Sequence, residues 1–255
     1  MTPPRHDHDA GGDADLLGLK AELREDTWAR MSVDGVARFP RPDGRIPNFV
    51  GAEAAAERLR ETDAWKRART VKANPDSPQW PVRQRSLEDG KVVYMAVPRL
   101  AEADPFFLLD PDDLADTPRK SSSIKGASAS AKTVQVEDLE PVDLVVTGCV
   151  AVDATGARLG KGGGFSDLEY ALAAQAGLIG PDTVVVTTVH ELQLRDAGEI
   201  PMGDHDFGLD LIVTPDRVIE CPKRSTGGRI HWDELTPEKV ESIPLLHDMA
   251  GRLDG

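Results

Sequence analysis

From position 158 to 170 the chain reads Arg158-Leu159-Gly160-Lys161-Gly162-Gly163-Gly164-Phe165-Ser166-Asp167-Leu168-Glu169-Tyr170. No other run limits the fold as much. A backbone without Cβ turns through φ > 0 freely and lets another group approach it closely. Ser166 followed by Glu169 has the spacing of a capping box. Leu168, Leu172 and Gln175 continue at helical spacing, and Gly177 suits the stop. Upstream, Val142 to Val146 alternates like a strand. The unit reads as strand, turn, glycine loop and helix. Free N–H groups at a helix start attract anions, and a glycine loop adds more. Arg158 and Lys161 supply positive charge, so the loop reads as a phosphate cradle. The competing reading is a surface loop, and the preceding strand and following helix count against it. A Walker loop is excluded because Lys161 precedes the glycines, and a Rossmann fingerprint because Phe165 stands where a glycine is required.

Charge decides which ligands are sensible. With 30 Lys and Arg against 44 Asp and Glu, the formal net charge is −14. That argues against general nucleic-acid binding, which needs a cationic surface, but not against one nucleotide held by local cations. Acidic excess fits a surface adapted to high salt or an acidic soluble protein. No apolar run approaches a membrane span, and Met1 to Asp15 lacks the apolar core of a signal peptide. Cys149 and Cys221 are too few for a disulfide framework, which fits a reducing cytoplasm.

Residues 1–14 read as a disordered tail and 15–255 as one domain. Leu16, Leu19, Leu23 and Met31 can share the face of a first helix. Lys20 and Arg24, four apart, project together on it, although an isolated pair of cations is usually just solvated. Residues 38–47 form a turn-rich connection. Gly51 to Thr62 reads as helix, a short helix ends near Glu88, and Lys91 to Val97 reads as a strand. Residues 110–133, with runs of Asp and Ser, read as a flexible loop or lid. Thr183 to Val189 and Leu209 to Thr214 read as strands, and Thr236 caps a last helix begun by Pro237. Strands separated by helices predict a doubly wound α/β fold, a largely parallel sheet with helices on both faces.

Among residues able to carry chemistry, Asp204-His205-Asp206 offers carboxylates suited to Mg²⁺ shared with phosphate oxygens; the alternative is a polar turn. His190 could be a ligand or a base. Cys149, inside an apolar strand, reads as core rather than nucleophile. Neither zinc ligation nor a Ser-His-Asp set is indicated.

Three ordered stretches carry a resemblance. Lys20-Ala21-Glu22-Leu23-Arg24 is similar to a KxxLR motif. Gly156 to Asp167 is similar to G-x-R-L-G-x-G-x-G-Y-Y-D. Pro201 to Thr214, with His205, Asp206 and Asp210, is similar to P-x-x-x-H-D-x-x-x-D-x-x-x-T. From about Lys20 to Pro215 the chain resembles the 5-formyltetrahydrofolate cyclo-ligase family, most of all its cyclo-ligase-like branch. The resemblance implies the family's fold, akin to NagB, RpiA and CoA-transferase proteins, with ATP and Mg²⁺. Lys20, Arg24, Arg158, Gly160, Lys161, Gly162, Gly163, Gly164 and Phe165 would hold phosphates, with Lys20, Arg24 and Lys161 assisting transfer. Asp167 and Asp206 would hold the metal. Asp76 stands roughly where an acidic substrate residue is expected. Two positions depart from the pattern, Phe165-Ser166 for Tyr-Tyr. Phe165 keeps an aromatic face for a flat ring, and Ser166 serves as helix cap. The implied activity is ATP-dependent formation of 5,10-methenyltetrahydrofolate, with ADP and phosphate, by a cytoplasmic monomer or homodimer that binds neither nucleic acid nor membrane. The alternatives are an ATP-using enzyme on another small heterocycle, thiamine-related for this branch, and a non-catalytic nucleotide-binding protein.

Overall fold

A computed structural model describes residues 10–222 and 228–253. Nine α-helices occur among them: α1 (Ala10–Val33), α2 (Ala52–Arg60), α3 (Asp63–Arg67), α4 (Trp80–Glu88), α5 (Pro118–Ser121), α6 (Ile124–Ser130), α7 (Phe165–Gln175), α8 (Pro237–Ser242) and α9 (Pro244–Leu253). The strands are β1 (Thr70–Ala73), β2 (Val92–Ala96), β3 (Phe106–Leu109), β4 (Lys132–Val134), β5 (Leu144–Val146), β6 (Ala151–Asp153), β7 (Arg158–Leu159), β8 (Val184–Thr188), β9 (Leu194–Arg195), β10 (Leu211–Val213) and β11 (Val218–Glu220).

Eight strands make one sheet in the order β11-β10-β8-β5-β1-β2-β3-β4. The central run β10-β8-β5-β1-β2 is parallel, and β11, β3 and β4 are antiparallel additions at the edges. The central strands are apolar runs because both faces are covered. On one face Val71, Ala73, Leu144, Val146 and Val186 pack with Leu59, Trp65 and Val82 of α2, α3 and α4. On the other, Val145, Val185 and Ile212 pack with Leu168 and Leu172 of α7 and with Ile243 and Leu246 near the C-terminus. This is the expected doubly wound sheet. The chain runs from β1 outward to β2, and only later returns to lay β5 on the other side of β1. The crevice outside the carboxyl ends of β1 and β5 is therefore the switch point, where open α/β sheets bind ligands.

A second sheet, β7-β6-β9, has three strands. Val142 to Val146 does not lead straight into the glycine loop: the hairpin β6–β7 intervenes and launches the loop from its end. Helix α1 lies against this sheet, with Leu23 packed on Ala151, Leu159 and Ile200.

Several local expectations change. The helix begins at Ala10, inside the stretch expected to be a tail, while residues 1–9 lie outside the described ones. Leu19 is exposed; the inward stripe of α1 is Lys20, Leu23, Thr27, Trp28 and Met31, which keeps the 3.6-residue period around a buried lysine. Residues 110–133 are not an open loop but carry α5, α6 and the start of β4. Ser123 caps α6 by accepting from Gly126 N–H at 2.9 Å, and Arg83 Nε donates to the Ser122 carbonyl at 3.0 Å. Polar composition hid a segment held by hydrogen bonds rather than by apolar burial. Thr236 does cap α8, accepting from Lys239 N–H at 3.2 Å. Among the described residues no helix is long and apolar enough to cross a membrane.

Candidate functional site around the glycine loop

The loop after β7 turns through left-handed backbone at Gly162 (φ 101°) and Gly164 (φ 65°), conformations open to glycine at little cost. Gly164, not Ser166, is the N-cap of α7, and no side chain caps the helix. The capping box is absent because Glu169 is used elsewhere. Its carboxylate accepts from Lys72 Nζ at 3.0 Å and Asn74 Nδ2 at 2.9 Å, all three residues being buried. Alternation explains Lys72: with Val71 and Ala73 on the α2–α4 face, it points toward α7. Burial pushes the Glu169 carboxyl above its ordinary value, against the lowering effect of Lys72.

Four cations surround the loop, and they differ in what already holds them. Arg158 is buried and committed. It donates to Asp167 and to the Phe207 carbonyl (3.1 Å), and its guanidinium lies 3.6 Å from the Phe207 ring centroid. It ties the loop to the helix start and to the 204–207 turn. Lys161 is half-exposed and pairs with Asp76 Oδ1 at 3.3 Å. Arg24 reaches from α1, donating Nε to the Gly160 carbonyl at 2.7 Å; its guanidinium carbon is 3.5 Å from where a Cβ on Gly162 would stand. The described residues give Arg24 no hydrogen-bonded carboxylate. Partial burial lowers its pKa, opposed by the field of Asp206. Lys239, from α8, donates to the Gly163 carbonyl at 2.8 Å and sits 5.1 Å from the Phe165 ring centroid. The aromatic face expected for a flat ligand thus carries an ammonium.

Lys20 does share a helix face with Arg24, but it is buried and bonded to Asp206 Oδ2 at 2.5 Å. Burial alone would raise the Asp206 carboxyl. The Lys20 hydrogen bond, the Gly203 N–H and the charges of Lys20 and Arg158 outweigh it and hold the group below the usual range. The two expected metal ligands are therefore each already matched to a cation, Asp167 to Arg158 and Asp206 to Lys20. Among the described residues no group of three or more His, Cys, Asp or Glu is placed to hold an ion. Mg²⁺ arriving on phosphates takes one or two carboxylates and keeps its waters.

Beside the loop lies the crevice between β1 and β5. Asn74 and Asp76 leave the end of β1, and Asn74 Oδ1 accepts from Gly148 N–H at 3.3 Å beyond β5. A Cβ on Gly148 would meet Gln79 Oε1 at 2.9 Å and Asp76 Oδ2 at 3.0 Å. Gly148 therefore lets two acceptors converge at the switch point. Gln79 Oε1 is buried without a hydrogen-bond partner among the described residues, and an incoming donor would satisfy it. The crevice is rigid from behind: Arg83, fully buried, donates to the carbonyls of Asn74 (2.5 Å), Pro75 (3.3 Å) and Asp76 (3.1 Å). Its desolvation pushes its pKa down to about 10.

Two residues singled out in the sequence lie outside this chemistry. His190 Nδ1 accepts from Leu192 N–H at 3.2 Å as a turn cap. Cys149 is buried, its thiol pushed up to about 11 by desolvation. The residues missed were Lys72, Asn74 and Glu169, Gln79, Arg83, and Lys239. A lysine inside the apolar run Thr70–Ala73 was a usable signal for the first group; Lys239 had none.

Fold and site together define an α/β protein with a cation-lined glycine turn beside a polar switch-point crevice. The family model of the 5-formyltetrahydrofolate cyclo-ligase family matches residues 17–215. The methenyltetrahydrofolate synthase domain-containing proteins of Bos taurus and Homo sapiens are 40% and 37% identical to the chain, over 90% and 91% of its length. The 5-formyltetrahydrofolate cyclo-ligase of Mycolicibacterium smegmatis is 35% identical over 32% of this chain and 39% of its own. The NMR structure of Aquifex aeolicus 5,10-methenyltetrahydrofolate synthetase superposes with a TM-score of 0.52 at 20% identity, over 85% of this chain and 100% of that one, a likeness of fold. The chain belongs to the 5-formyltetrahydrofolate cyclo-ligase family, a family of ligases. It spans 61% and 62% of the length of the Bos taurus and Homo sapiens relatives.

Proposed function

We propose that the chain is an ATP-dependent 5-formyltetrahydrofolate cyclo-ligase, forming 5,10-methenyltetrahydrofolate with ADP and phosphate. The observation that carries this reading is Arg24, a half-buried guanidinium over the glycine loop to which no carboxylate among the described residues is bonded. A cation left in that state is stabilised by an anion, and an arginine fork suits phosphate oxygens.

The chemistry needs two neighbouring subsites. The formyl oxygen of the substrate attacks the γ-phosphorus, and the bond to ADP breaks. The second folate nitrogen then attacks the formyl carbon and loses its proton, and the carbon–oxygen bond breaks as phosphate leaves. The protein's tasks are alignment and charge neutralisation. Arg24 and the loop N–H groups hold the transferring phosphate. Asp167 and Asp206 would hold a Mg²⁺ that arrives with the nucleotide, and that ion would supply neutralisation of developing charge. The acceptor's N–H groups meet Asp76 and Gln79 at the switch point, and Lys161, paired with Asp76, links the subsites. Lys20 acts through Asp206, holding that carboxylate in place.

Asp76→Ala is expected to raise KM for the folate about tenfold with KM for ATP nearly unchanged, by loss of a charged hydrogen bond. The test of the function is direct. Purified protein with ATP, Mg²⁺ and 5-formyltetrahydrofolate should accumulate the methenyl product, followed by its absorbance. Tight ATP binding without product would move the acceptor to another small heterocycle. No ATP binding would leave the loop without its proposed role.

A further inference from the structure

Residues 228–253 lie beyond the stretch that matches the family, yet they reach the glycine loop. Ile243 and Leu246 are fully buried in the same cluster as Leu168 and Leu172 of α7. The segment is therefore fixed to the helix that the loop begins. Among the described residues its hydrogen bond to the loop backbone comes from Lys239, whose Nζ donates to the Gly163 carbonyl at 2.8 Å. That nitrogen lies 2.9 Å from where a Cβ on Gly164 would stand, so the glycine admits it.

The position is a poor one for a lone cation. The start of α7 carries the positive end of the helix dipole. The ammonium has three donors, and among the described residues its one hydrogen-bond acceptor is that carbonyl. Burial lowers its pKa, opposed by the field of Asp167. Lys239 also lines, with Gly164 and Asp167, a cavity of about 160 Å³. The carboxylates lining this cavity are Asp167, already paired with Arg158, and Glu234; a phosphate beside Gly164 would meet the ammonium and the helix start together.

We propose that Lys239 is a phosphate-binding residue of this site, contributed by a C-terminal segment outside the family-matched stretch. The inference rests on the loop being a phosphate cradle. It assigns the ligand's polyphosphate, not its base, to the lysine.

The test uses the full chain with Lys239→Met, which keeps the apolar stem on Phe165, and with Lys239→Arg. Affinities for ATP and for inorganic tripolyphosphate are measured by calorimetry. Lys239→Met should weaken both by a similar factor, about tenfold, and Lys239→Arg should restore most of the loss. KM for ATP should rise while KM for 5-formyltetrahydrofolate stays constant, a split that a merely structural role would not give. Thermal unfolding of the methionine variant should match the parent. Unchanged affinity would overturn the inference, and tighter binding would make Lys239 a plug instead. Should the parent bind ATP and Arg24→Ala lose it while Lys239→Met does not, only the lysine's role falls. Should the parent bind neither probe, the cradle falls too.

Discussion

Lys72→Met is expected to destabilise the fold by about 3 kcal/mol or more, because it leaves a buried carboxylate without its partner. Lys72 and Glu169 are both buried and lie 3.0 Å apart, and only Asn74 would remain to satisfy Glu169. The same pair makes the loss depend on pH. The Glu169 pKa is raised in the folded protein. Between the unfolded value and the folded one, the native state binds more protons than the unfolded state. Its contribution to stability is therefore greatest below the unfolded pKa and falls as pH rises through that window. Removing the lysine raises the carboxyl further and widens the window. Denaturant titration should then show a larger deficit for Lys72→Met at pH 8 than at pH 5. The double variant Lys72→Met/Glu169→Leu should recover much of the loss, since an apolar replacement of a buried pair is often neutral. A deficit independent of pH would mean that the cost is packing, not charge.

Arg24→Ala should weaken ATP binding about 10- to 150-fold, the effect of one charge-assisted contact of about 1.5–3 kcal/mol. The basis is geometric: Nε is fixed on the Gly160 carbonyl while the rest of the guanidinium faces Gly162. Arg30→Ala is the control, since that side chain is partly exposed and pairs with Asp26 at 3.8 Å on its own helix; it should leave ATP affinity unchanged. Added salt should weaken the parent more than Arg24→Ala, because the variant lacks the screened contact. Equal affinities for parent and Arg24→Ala would remove the phosphate role from α1.

How much of this was legible in the sequence follows from what each signal depends on. The parallel core was legible in β5 and β8 because strands buried on both faces are written as valine-rich runs. The glycine loop and the Lys20–Arg24 pair were legible because local spacing alone defines them. Their partners were not. For Arg158 a sequence shows a charge but not the carboxylate paired with it, here Asp167. Ser166 looked like a cap because Ser-x-x-Glu is local, whereas Glu169 is claimed by a lysine 97 positions away. The segment 110–133 looked open because its order comes from Arg83 and Trp80, whose bonds to the Ser122 and Arg119 carbonyls are long-range. Lys239 had no motif at all; only the packing of α8 and α9 brings it to the loop.

The central claim is that ATP activates the formyl oxygen at the glycine loop while the acceptor sits in the adjoining crevice. Substrate labelled with a heavy oxygen isotope at the formyl group tests it most directly, with the released phosphate analysed by mass spectrometry. One label is expected in each phosphate released, matched by one methenyl product. Phosphate carrying solvent oxygen instead, with label retained on the folate, would mean that ATP is merely hydrolysed and would contradict the account.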